Sequence, residues 1–268
     1  MTTPILAAYL YRWSFSILQV FQRAQVGSHR HGALQLTMGI QGRVRMGVST
    51  QFGDAPIQSR AILVGADQPH WLEAEGWLGS LWIEPDSRLG RGLVARYLRD
   101  APIVALADMP MDDLASDLMR LTRAGVALKE ASRVRDAVES AVLEGGASAP
   151  PLHPALKRAI AHIDGLDDLR VSASALAIVA GVSESHLLHL FGDALGIPLR
   201  RFIVWRRVWR AGLLINRGSN VTEAAQRSGF HDSSHMTRAF KQLLDVTPGA
   251  LAKLRDQITV VDLPESLD

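Results

Sequence analysis

The sequence lacks cysteine altogether, since none of its 268 residues is a cysteine. A disulfide framework, a thiolate zinc site and a thiol nucleophile are therefore excluded. It also lacks any uninterrupted apolar run near the ~20 residues that a membrane helix needs. The first residues, "MTTPILAAYLYRW", have no basic stretch before their apolar run, so we expect neither a signal peptide nor a membrane partner. A cysteine-free chain suits a reducing compartment, and we expect a cytoplasmic protein.

A large net charge is missing as well, because 29 Lys and Arg side chains nearly balance 27 Asp and Glu side chains. The balance holds over residues 1–150, which contain 15 of each sign. Residues 196–241 differ: nine basic side chains stand against Glu223 and Asp232, which leaves a net charge of +7. Such a local excess is typical of a surface that binds a polyanion, although a solvated helix face gives the same pattern.

Hydrophobic periodicity divides the chain into a β part and a helical part. Over the first hundred residues, short apolar runs alternate with Gly, Pro and Asp, as in a small sandwich or barrel. Helical spacing follows from about Ser87, and "EGGASAPPLHP" at 144–154 has the composition of a linker. We therefore predict a multidomain α+β protein: a barrel over 1–100, connecting helices and linker over 101–149, and an all-α domain over 150–258.

Two stretches of the helical part share one design. "ALAIVAGVSESHLLHLF" and "EAAQRSGFHDSSHMTRAF" each place a short helix before a glycine, Gly181 or Gly229, then a bulky apolar residue and a second helix with small polar side chains at its start. This pattern predicts a helix-turn-helix motif, whose second helix can enter the major groove of DNA. The basic helix predicted between them, Leu199–Ile215, would be roughly 25 Å long. Two reading helices about 34 Å apart could enter successive major grooves.

The second motif continues as "GFHDSSHMTRAFKQLLDVTPGAL", which resembles the signature of the AraC/XylS family of bacterial transcription regulators. The matching positions are Gly229, Phe230, Ser234, Arg238, Phe240, Lys241, Thr247 and Pro248. "GVSESHLLHLFGDALGIPL" resembles the first helix-turn-helix of the family, so the resemblance covers about residues 153–254. The sequence departs from the family pattern at His189, where arginine is usual, at Gly192, where a basic residue is common, and at Met236, where Phe or Tyr is usual.

The resemblance implies a regulator that binds double-stranded DNA. In the first motif it implies DNA contacts from Ser183, Glu184, Ser185, His186 and His189. In the second motif it implies them from Asp232, Ser233, Ser234, His235, Thr237 and Arg238. Arg238 is the expected guanine reader, whereas Lys241, Arg210 and Arg217 are expected at phosphates. Some of these polar residues, Ser183 above all, could instead cap their helices.

Histidines in the β part form another motif. His29, His31 and Gln35 lie in "SHRHGALQLTMGIQGRVRMG", and His70 lies in "ILVGADQPHWLEA". Together these segments resemble the two motifs of a cupin barrel, a domain that AraC/XylS regulators commonly carry. Because alternate residues of a strand face one side, His29 and His31 can point inward together. Gln35 stands where metal-binding cupins have an acid, and an amide is a poorer ligand for a divalent ion.

Three interpretations of this motif remain open. One is a small organic effector bound among histidines and tryptophans; another is a divalent metal at His29, His31 and His70; the third is a set of internal hydrogen bonds only. The first is favoured, and its expected ligand-binding residues are His29, His31, Gln35, His70, Trp71 and Trp82. A metal-dependent cupin enzyme fused to a DNA-binding domain is the alternative, and the missing acid argues against an enzyme.

Apolar residues recur at helical spacing between residues 110 and 144. This apolar stripe consists of Leu114, Leu118, Leu121, Val134, Val138, Ala141 and Val142. Packing against the barrel explains part of it, and the family resemblance implies a two-helix seam of a homodimer for the rest. An effector that binds one arrangement of the domains better than another would then change which DNA sites the dimer reaches.

Overall fold

The structure is a computed structural model that describes residues 8–13, 16–48, 55–122, 128–143, 149–255 and 258–262. The chain divides into two compact units. The first is formed by the N-terminal part up to Pro150, without Arg30–Gly32, together with the C-terminal strand, and the second by Arg30–Gly32 and residues 151–256. Part of the predicted linker, residues 144–148, lies outside the described residues.

One mixed sheet forms the framework of the first unit. Its described strands are β1 (Ala8–Trp13), β2 (Ser16–His29), β3 (Leu34–Gly39), β4 (Val44–Gly47), β5 (Ile57–Ser59), β6 (Ala61–Val64), β7 (His70–Ile83), β8 (Ile103–Ala105) and β9 (Ile258–Asp262). They follow the order β8-β6-β3-β7-β2-β1-β9, and β4 pairs with β5 and β7. Apolar side chains of these strands are buried on the inner face, which gives the unit its core.

The two longest strands, β2 and β7, determine where the histidines lie. They pair antiparallel, with Ser16 opposite Ile83 at one end and His29 opposite His70 at the other. A register shift after Gln22 leaves Arg23 in the left-handed region at φ 62°, as a β-bulge does. The second half of β7 also pairs with β3, so side chains of three strands meet along β7.

Among the described residues, the first unit contains three helices: α1 (Arg88–Tyr97), α2 (Met111–Arg120) and α3 (Leu128–Leu143). The stripe residues Leu114, Leu118, Leu121, Val134 and Val138 are at most 3% exposed. They are therefore already covered within one chain and serve its core. Ala141 is half-buried, and the side chain of Val142 lies outside the described part of the chain.

The C-terminal strand β9 runs parallel to β1, with Ala8 opposite Ile258 and Arg12 opposite Asp262. The chain therefore leaves the first unit after Pro150 and returns to it after the second unit. As a result, both ends of the helical unit are covalently connected to the unit that contains the sheet.

The second unit is helical. Its helices are α4 (Pro154–Asp164), α5 (Ala173–Ala180), α6 (Glu184–Leu195), α7 (Leu199–Asn216), α8 (Val221–Arg227), α9 (Ser233–Leu244) and α10 (Pro248–Leu254). Every helix except α7 begins after a side chain that accepts a hydrogen bond from a backbone N–H of its first turn. These N-cap residues are His153, Ser172, Ser183, Asn220, Asp232 and Thr247.

Two helix-turn-helix motifs, α5–α6 and α8–α9, contain the same turn. Gly181 lies at φ 67° and its N–H bonds to the Ile178 carbonyl, while the next N–H bonds to the Ala177 carbonyl. Gly229 lies at φ 79° and repeats the pattern with the carbonyls of Gln226 and Ala225. This pair of bonds is a Schellman motif, which needs a left-handed residue and therefore favours glycine. The repeated design predicted from the sequence is thus present in the backbone.

The connecting helix α7 packs its apolar side chains inside the second unit. Phe202, Ile203 and Val208 are buried, and the ring of Phe202 meets Phe191 of α6 edge-on, with centroids 5.4 Å apart. The predicted fold class, a sheet-rich N-terminal part followed by a helical C-terminal part, is confirmed. Among the described helices none is long and apolar enough alone to span a membrane; α5 and α6, bent by 88°, meet that length and composition only as a pair.

Candidate functional site

The reading helix of the first motif, α6, exposes its predicted DNA contacts. Ser183, Glu184, Ser185, His186 and His189 are all exposed. The Ser183 hydroxyl accepts a hydrogen bond from the His186 N–H at 3.2 Å, so this oxygen stabilises the start of the helix. His189 donates from Nδ1 to the Ser185 carbonyl at 2.7 Å. In the neutral ring, Nε2 is then the nitrogen that can bond to an outside partner.

In the reading helix of the second motif, α9, some of the predicted polar side chains form hydrogen bonds within the motif itself. The Asp232 carboxylate accepts the His235 N–H at 2.6 Å and bonds to His231 Nδ1 at 3.0 Å. The backbone hydrogen bond from His235, and then the bond from His231, lower the pKa of Asp232. The Thr237 hydroxyl donates to the Ser233 carbonyl at 2.7 Å. Asp232 and Thr237 therefore position the helix.

The other side chains of α9 divide by exposure. Ser234 is exposed, whereas Ser233 and His235 are half-buried, and the His235 ring meets Phe230 edge-on at 5.3 Å. Arg238 and Lys241 are exposed three residues apart, which places them on one face of α9. Within the described part of the chain, neither forms an ion pair or a side-chain hydrogen bond. Both cations are thus available to an outside partner.

The arginines of α7 behave differently from those of α9. Arg210, expected at a phosphate, donates from Nη1 to the carbonyls of Leu166 and Asp167 at 2.8 and 2.7 Å. Arg207 donates to the Leu169 carbonyl through Nε and Nη2 at 3.2 and 2.8 Å. Both arginines hold the loop that follows α4, which favours a structural role for Arg210. Arg217, at the end of α7, is exposed.

Two of the predicted histidines, His29 and His70, come together in the interior of the first unit. His29 and His70 lie opposite each other at the ends of β2 and β7, with ring centroids 4.4 Å apart. His29 and His70 are at most 8% exposed, and His31, which belongs to the second unit, is buried as well. Burial, and next the nearby His29, lower the pKa of His70 to about 3, so His70 is neutral at neutral pH.

Gln35 of β3 completes this group, which we call the histidine cluster: His29, Gln35 and His70. The Gln35 side chain is buried, with Oε1 at 3.1 Å from His70 Nε2 and Nε2 at 2.9 Å from Thr37 Oγ1. Ser80 Oγ, on β7, lies 3.4 Å from the same amide nitrogen. Gln35, His70 and Ser80 are all buried, so these polar groups are shielded from solvent.

The two predicted tryptophans lie on different faces of the sheet. Trp82 pairs directly with Gln35 across β7 and β3, and opposite residues share one face. Trp71 follows His70 in the strand and therefore faces the other way. Its indole covers Gly47 of β4, and Arg45 lies over the ring at 6.0 Å. The structure thus places Trp82, but not Trp71, on the face of Gln35.

An open groove of about 540 Å³ lies beside the sheet, and no local pattern in the sequence predicts it. Its lining includes Arg23, Arg43 and Arg45. Arg45 forms an ion pair with Glu73 at 2.9 Å, and Arg43 bonds to a backbone carbonyl at 3.5 Å. Because acids and carbonyls already engage these cations, the groove is a weaker ligand site than the enclosed histidines.

Comparison with known proteins finds a family model that matches most of the helical unit. Residues 176–253 match the model described as a helix-turn-helix domain. The chain is 33% identical over 104 residues to the helix-turn-helix-type transcriptional regulator GlxA of Rhizobium meliloti (strain 1021), covering 38% of this chain and 32% of that protein. It is 32% identical over 90 residues to a helix-turn-helix-type transcriptional regulator of Staphylococcus aureus (strain MRSA252), covering 33% of this chain and 12% of that protein. The chain thus spans a third or less of the length of these relatives.

Similarity to solved structures extends over most of the chain. ToxT from Vibrio cholerae O395 has a TM-score of 0.59 at 13% identity, covering 89% of this chain and 97% of that chain. Wild-type ToxT from Vibrio cholerae strain SCE256 with a bound unsaturated fatty acid has a TM-score of 0.58 at 12% identity, covering 89% and 95%. At these identities the similarity shows the fold.

The repeated turn, the family match and the exposed reading helices define the C-terminal unit as a helix-turn-helix domain. The resemblance of the chain to AraC/XylS regulators, predicted from its signature residues, is confirmed by the regulator relatives and by the fold.

Proposed function

We propose that the protein is a sequence-specific DNA-binding transcription regulator of the AraC/XylS type that responds to a small molecule. The observation that carries the proposal is the pair of helix-turn-helix motifs with one turn geometry, joined by a basic helix and matched by the family model. Double-stranded DNA is the partner such motifs suit, because their second helices enter major grooves. The role is regulatory and not enzymatic, and its place is the cytoplasm.

The contacts proposed with DNA follow from exposure. Arg238 reads a guanine and Lys241 neutralises a phosphate, since both are exposed on one face of α9 and have no partner within the described residues. Arg217 is a further phosphate contact. On α6, the proposed contacts are Glu184, Ser185, His186 and His189, and on α9 they include Ser233, Ser234 and His235, while Ser183, Asp232 and Thr237 act by fixing the helix starts.

Sensing belongs to the cupin-like barrel over 1–100, and residues 101–149 connect it to the DNA-binding part over 150–258. We assign effector binding to the histidine cluster together with Trp82, and the register of β2, β3 and β7 supports this assignment. One protein of similar fold, ToxT of Vibrio cholerae, is solved with a bound unsaturated fatty acid, which supports a small-molecule effector.

We propose a homodimer, because two chains present four reading helices to one operator and their combined contacts raise the overall affinity. The apolar stripe is buried in the single chain, so it offers little to a partner. Leu128, at the start of α3, is 53% exposed and remains available to a seam.

Selection of duplexes from a random pool by the untagged full-length chain tests the function. The enriched sequences should contain two conserved boxes about one helical turn, roughly 10 base pairs, apart. The same selection with Arg238→Ala should lose the preference at one position of one box. If the folded wild type enriched no particular sequence from the pool, the result would contradict the proposal.

A further inference from the structure

Leu188 is an exposed apolar side chain on the reading helix α6. It is 43% exposed, although the same helix has a buried apolar face. That buried face is formed by Leu187, Phe191 and Leu195. Leu188 lies one turn after Ser185 and one turn before Gly192, so these three residues follow one another along one side of α6. Because Ser185 is exposed and is a proposed DNA contact, the leucine lies beside the surface that is proposed to enter the major groove.

The two reading helices differ in charge at corresponding positions. Counted from the N-cap residue of each helix, three positions of α6 can be set against three of α9. The corresponding residues are Leu188 and Thr237, His189 and Arg238, and Gly192 and Lys241. The sequence of α6 contains no Lys or Arg, but it contains Glu184 and Asp193. The first reading helix therefore lacks the cations that read guanine bidentately or neutralise phosphates.

The surface beside Leu188 is open to an approaching group. Within the described part of the chain, no atom lies within 4 Å of a Cβ added at Gly192. The other neighbour along the helix, Ser185, has only a short side chain. At the position of Gly192, α9 has the long side chain of Lys241. A small apolar group can therefore reach the methyl groups of Leu188 without displacing another side chain.

The major groove offers such an apolar group on one base, the C5-methyl group of thymine. The other groups at base edges there are hydrogen-bond donors and acceptors, which a leucine would leave unpaired. His189, next to Leu188, donates from Nδ1 to the Ser185 carbonyl at 2.7 Å, so Nε2 of the neutral ring can accept a hydrogen bond. The N6 amine of adenine donates such a bond. An A·T pair thus offers partners for both side chains.

We propose that Leu188 reads the methyl group of a thymine, so that the first reading helix recognises an A·T pair. The inference rests on the proposed function, because it assigns a base preference to one of the two reading helices. Contact with the leucine removes apolar surface of both groups from water, which favours thymine over the other bases. The first motif then adds sequence discrimination, whereas the cations of α9 add electrostatic affinity.

Replacement of thymine by uracil tests the proposal, because it removes the C5-methyl group and keeps the hydrogen-bonding groups of the base. In a duplex selected by the untagged full-length chain, the box that α6 reads is the one whose preferences persist in Arg238→Ala. Uracil at one thymine of this box should weaken wild-type binding about fourfold, which corresponds to one buried methyl group. Leu188→Ala should bind the thymine and uracil duplexes equally. Fluorescence anisotropy measures these affinities.

Ile178→Ala is the matched control, because Ile178 is an 82% exposed apolar side chain on the other helix of the same motif, α5. This variant should retain the wild-type loss of affinity on uracil. Three results would each overturn the proposal: a box that contains no thymine, a wild type unaffected by uracil throughout the box, or an undiminished uracil effect in Leu188→Ala.

A second substitution tests the same position by a change of preference. Leu188→Gln introduces an amide that can bond to N6 and N7 of adenine together. Selection with this variant should replace thymine by adenine at one position of the same box. An unchanged selected sequence would show that residue 188 does not face a base. Both Leu188 variants change an exposed side chain, so their thermal unfolding should match that of the wild type.

The same measurements separate this inference from the regulator function. A wild type that selects a sequence but binds thymine and uracil duplexes equally would overturn the inference alone. A wild type that selects no sequence would contradict the proposed function, and the inference with it.

Discussion

Arg12 of β1 donates a hydrogen bond from Nε to Oδ1 of Asp262 at 2.6 Å, which joins residues that lie 250 positions apart in the chain. The pair closes a parallel register that begins with Ala8 opposite Ile258. Residues that follow the helical unit thus supply an edge strand to the sheet of the first unit. The backbone pairing, more than the ion pair, should stabilise this attachment, because the two side chains are 26% and 56% exposed.

Truncation after Arg255 should therefore destabilise the first unit, since it removes β9 and exposes the β1 edge. Asp262→Ala keeps the backbone pairing and should cost less than about 1 kcal/mol. Thermal unfolding of the truncated, substituted and intact chains measures both effects. An unchanged melting temperature in the truncated chain would show that β9 adds no stability.

Gly229→Ala should destabilise the second unit strongly. A Cβ there would lie 1.9 Å from the Asp168 carbonyl oxygen, and the residue has φ 79°. The left-handed conformation alone costs about 1–3 kcal/mol for other residues, and the backbone clash adds to it. Gly192→Ala is the matched control, because nothing lies within 4 Å of the added Cβ. Alanine in place of glycine inside a helix should raise the free energy of unfolding by about 0.5–1 kcal/mol. Urea denaturation compares the two, and similar effects would contradict the assigned turn geometry.

Arg207→Ala should lower the free energy of unfolding of the second unit by about 2 kcal/mol, because it removes a charged donor that forms two hydrogen bonds to one carbonyl oxygen. That carbonyl belongs to Leu169, which is buried and lies at φ 52°. Burial, followed by the nearby Arg170, lowers the pKa of Arg207, in accord with a guanidinium used inside the domain. Arg227→Ala removes an exposed pair with Glu223 and should cost only about 0.3–0.5 kcal/mol. Chemical denaturation that ranked Arg227 above Arg207 would contradict this assignment.

Asp232 should make the start of α9 sensitive to acid. Its pKa lies below the ordinary 3.8 because the ionised carboxylate accepts the His235 N–H. The stabilisation is therefore fully present above the unfolded-state pKa and is lost as the pH falls through the lower folded-state pKa. Asp232→Asn keeps an acceptor oxygen and should flatten this part of the pH dependence. Unfolding curves of both proteins near pH 7 and near pH 3 measure the difference, and parallel acid losses would exclude Asp232 as the cause.

Local signals allowed the helical unit to be predicted. The glycines at both turns, the serine caps at Ser172 and Ser183, and Pro154 at a helix start are signals within a few residues of the structure they produce. The resemblance to a cupin barrel implied that His29 and His70 converge, and their position opposite each other on β2 and β7 agrees with it.

Features that depend on contacts between distant residues could not be predicted from the sequence. From the sequence, Arg210 is expected at a phosphate, but in the structure it donates to a carbonyl of the loop at Leu166. Trp71 and Trp82 differ only in strand register, which decides the face of each indole. Strand β9 is short, and its partner β1 lies at the opposite end of the chain, so no local pattern predicts their pairing.

Binding of a selected duplex and of its single-base substitutions, by fluorescence anisotropy with wild type and Arg238→Ala, tests the central claim most directly. For the wild type, we predict a clear preference for the selected sequence. Arg238→Ala should weaken binding by ~1–3 kcal/mol and relax the preference at one base pair. A wild type that binds every duplex equally would contradict sequence-specific regulation, and a loss in Arg238→Ala that is uniform across sequences would make Arg238 a phosphate contact.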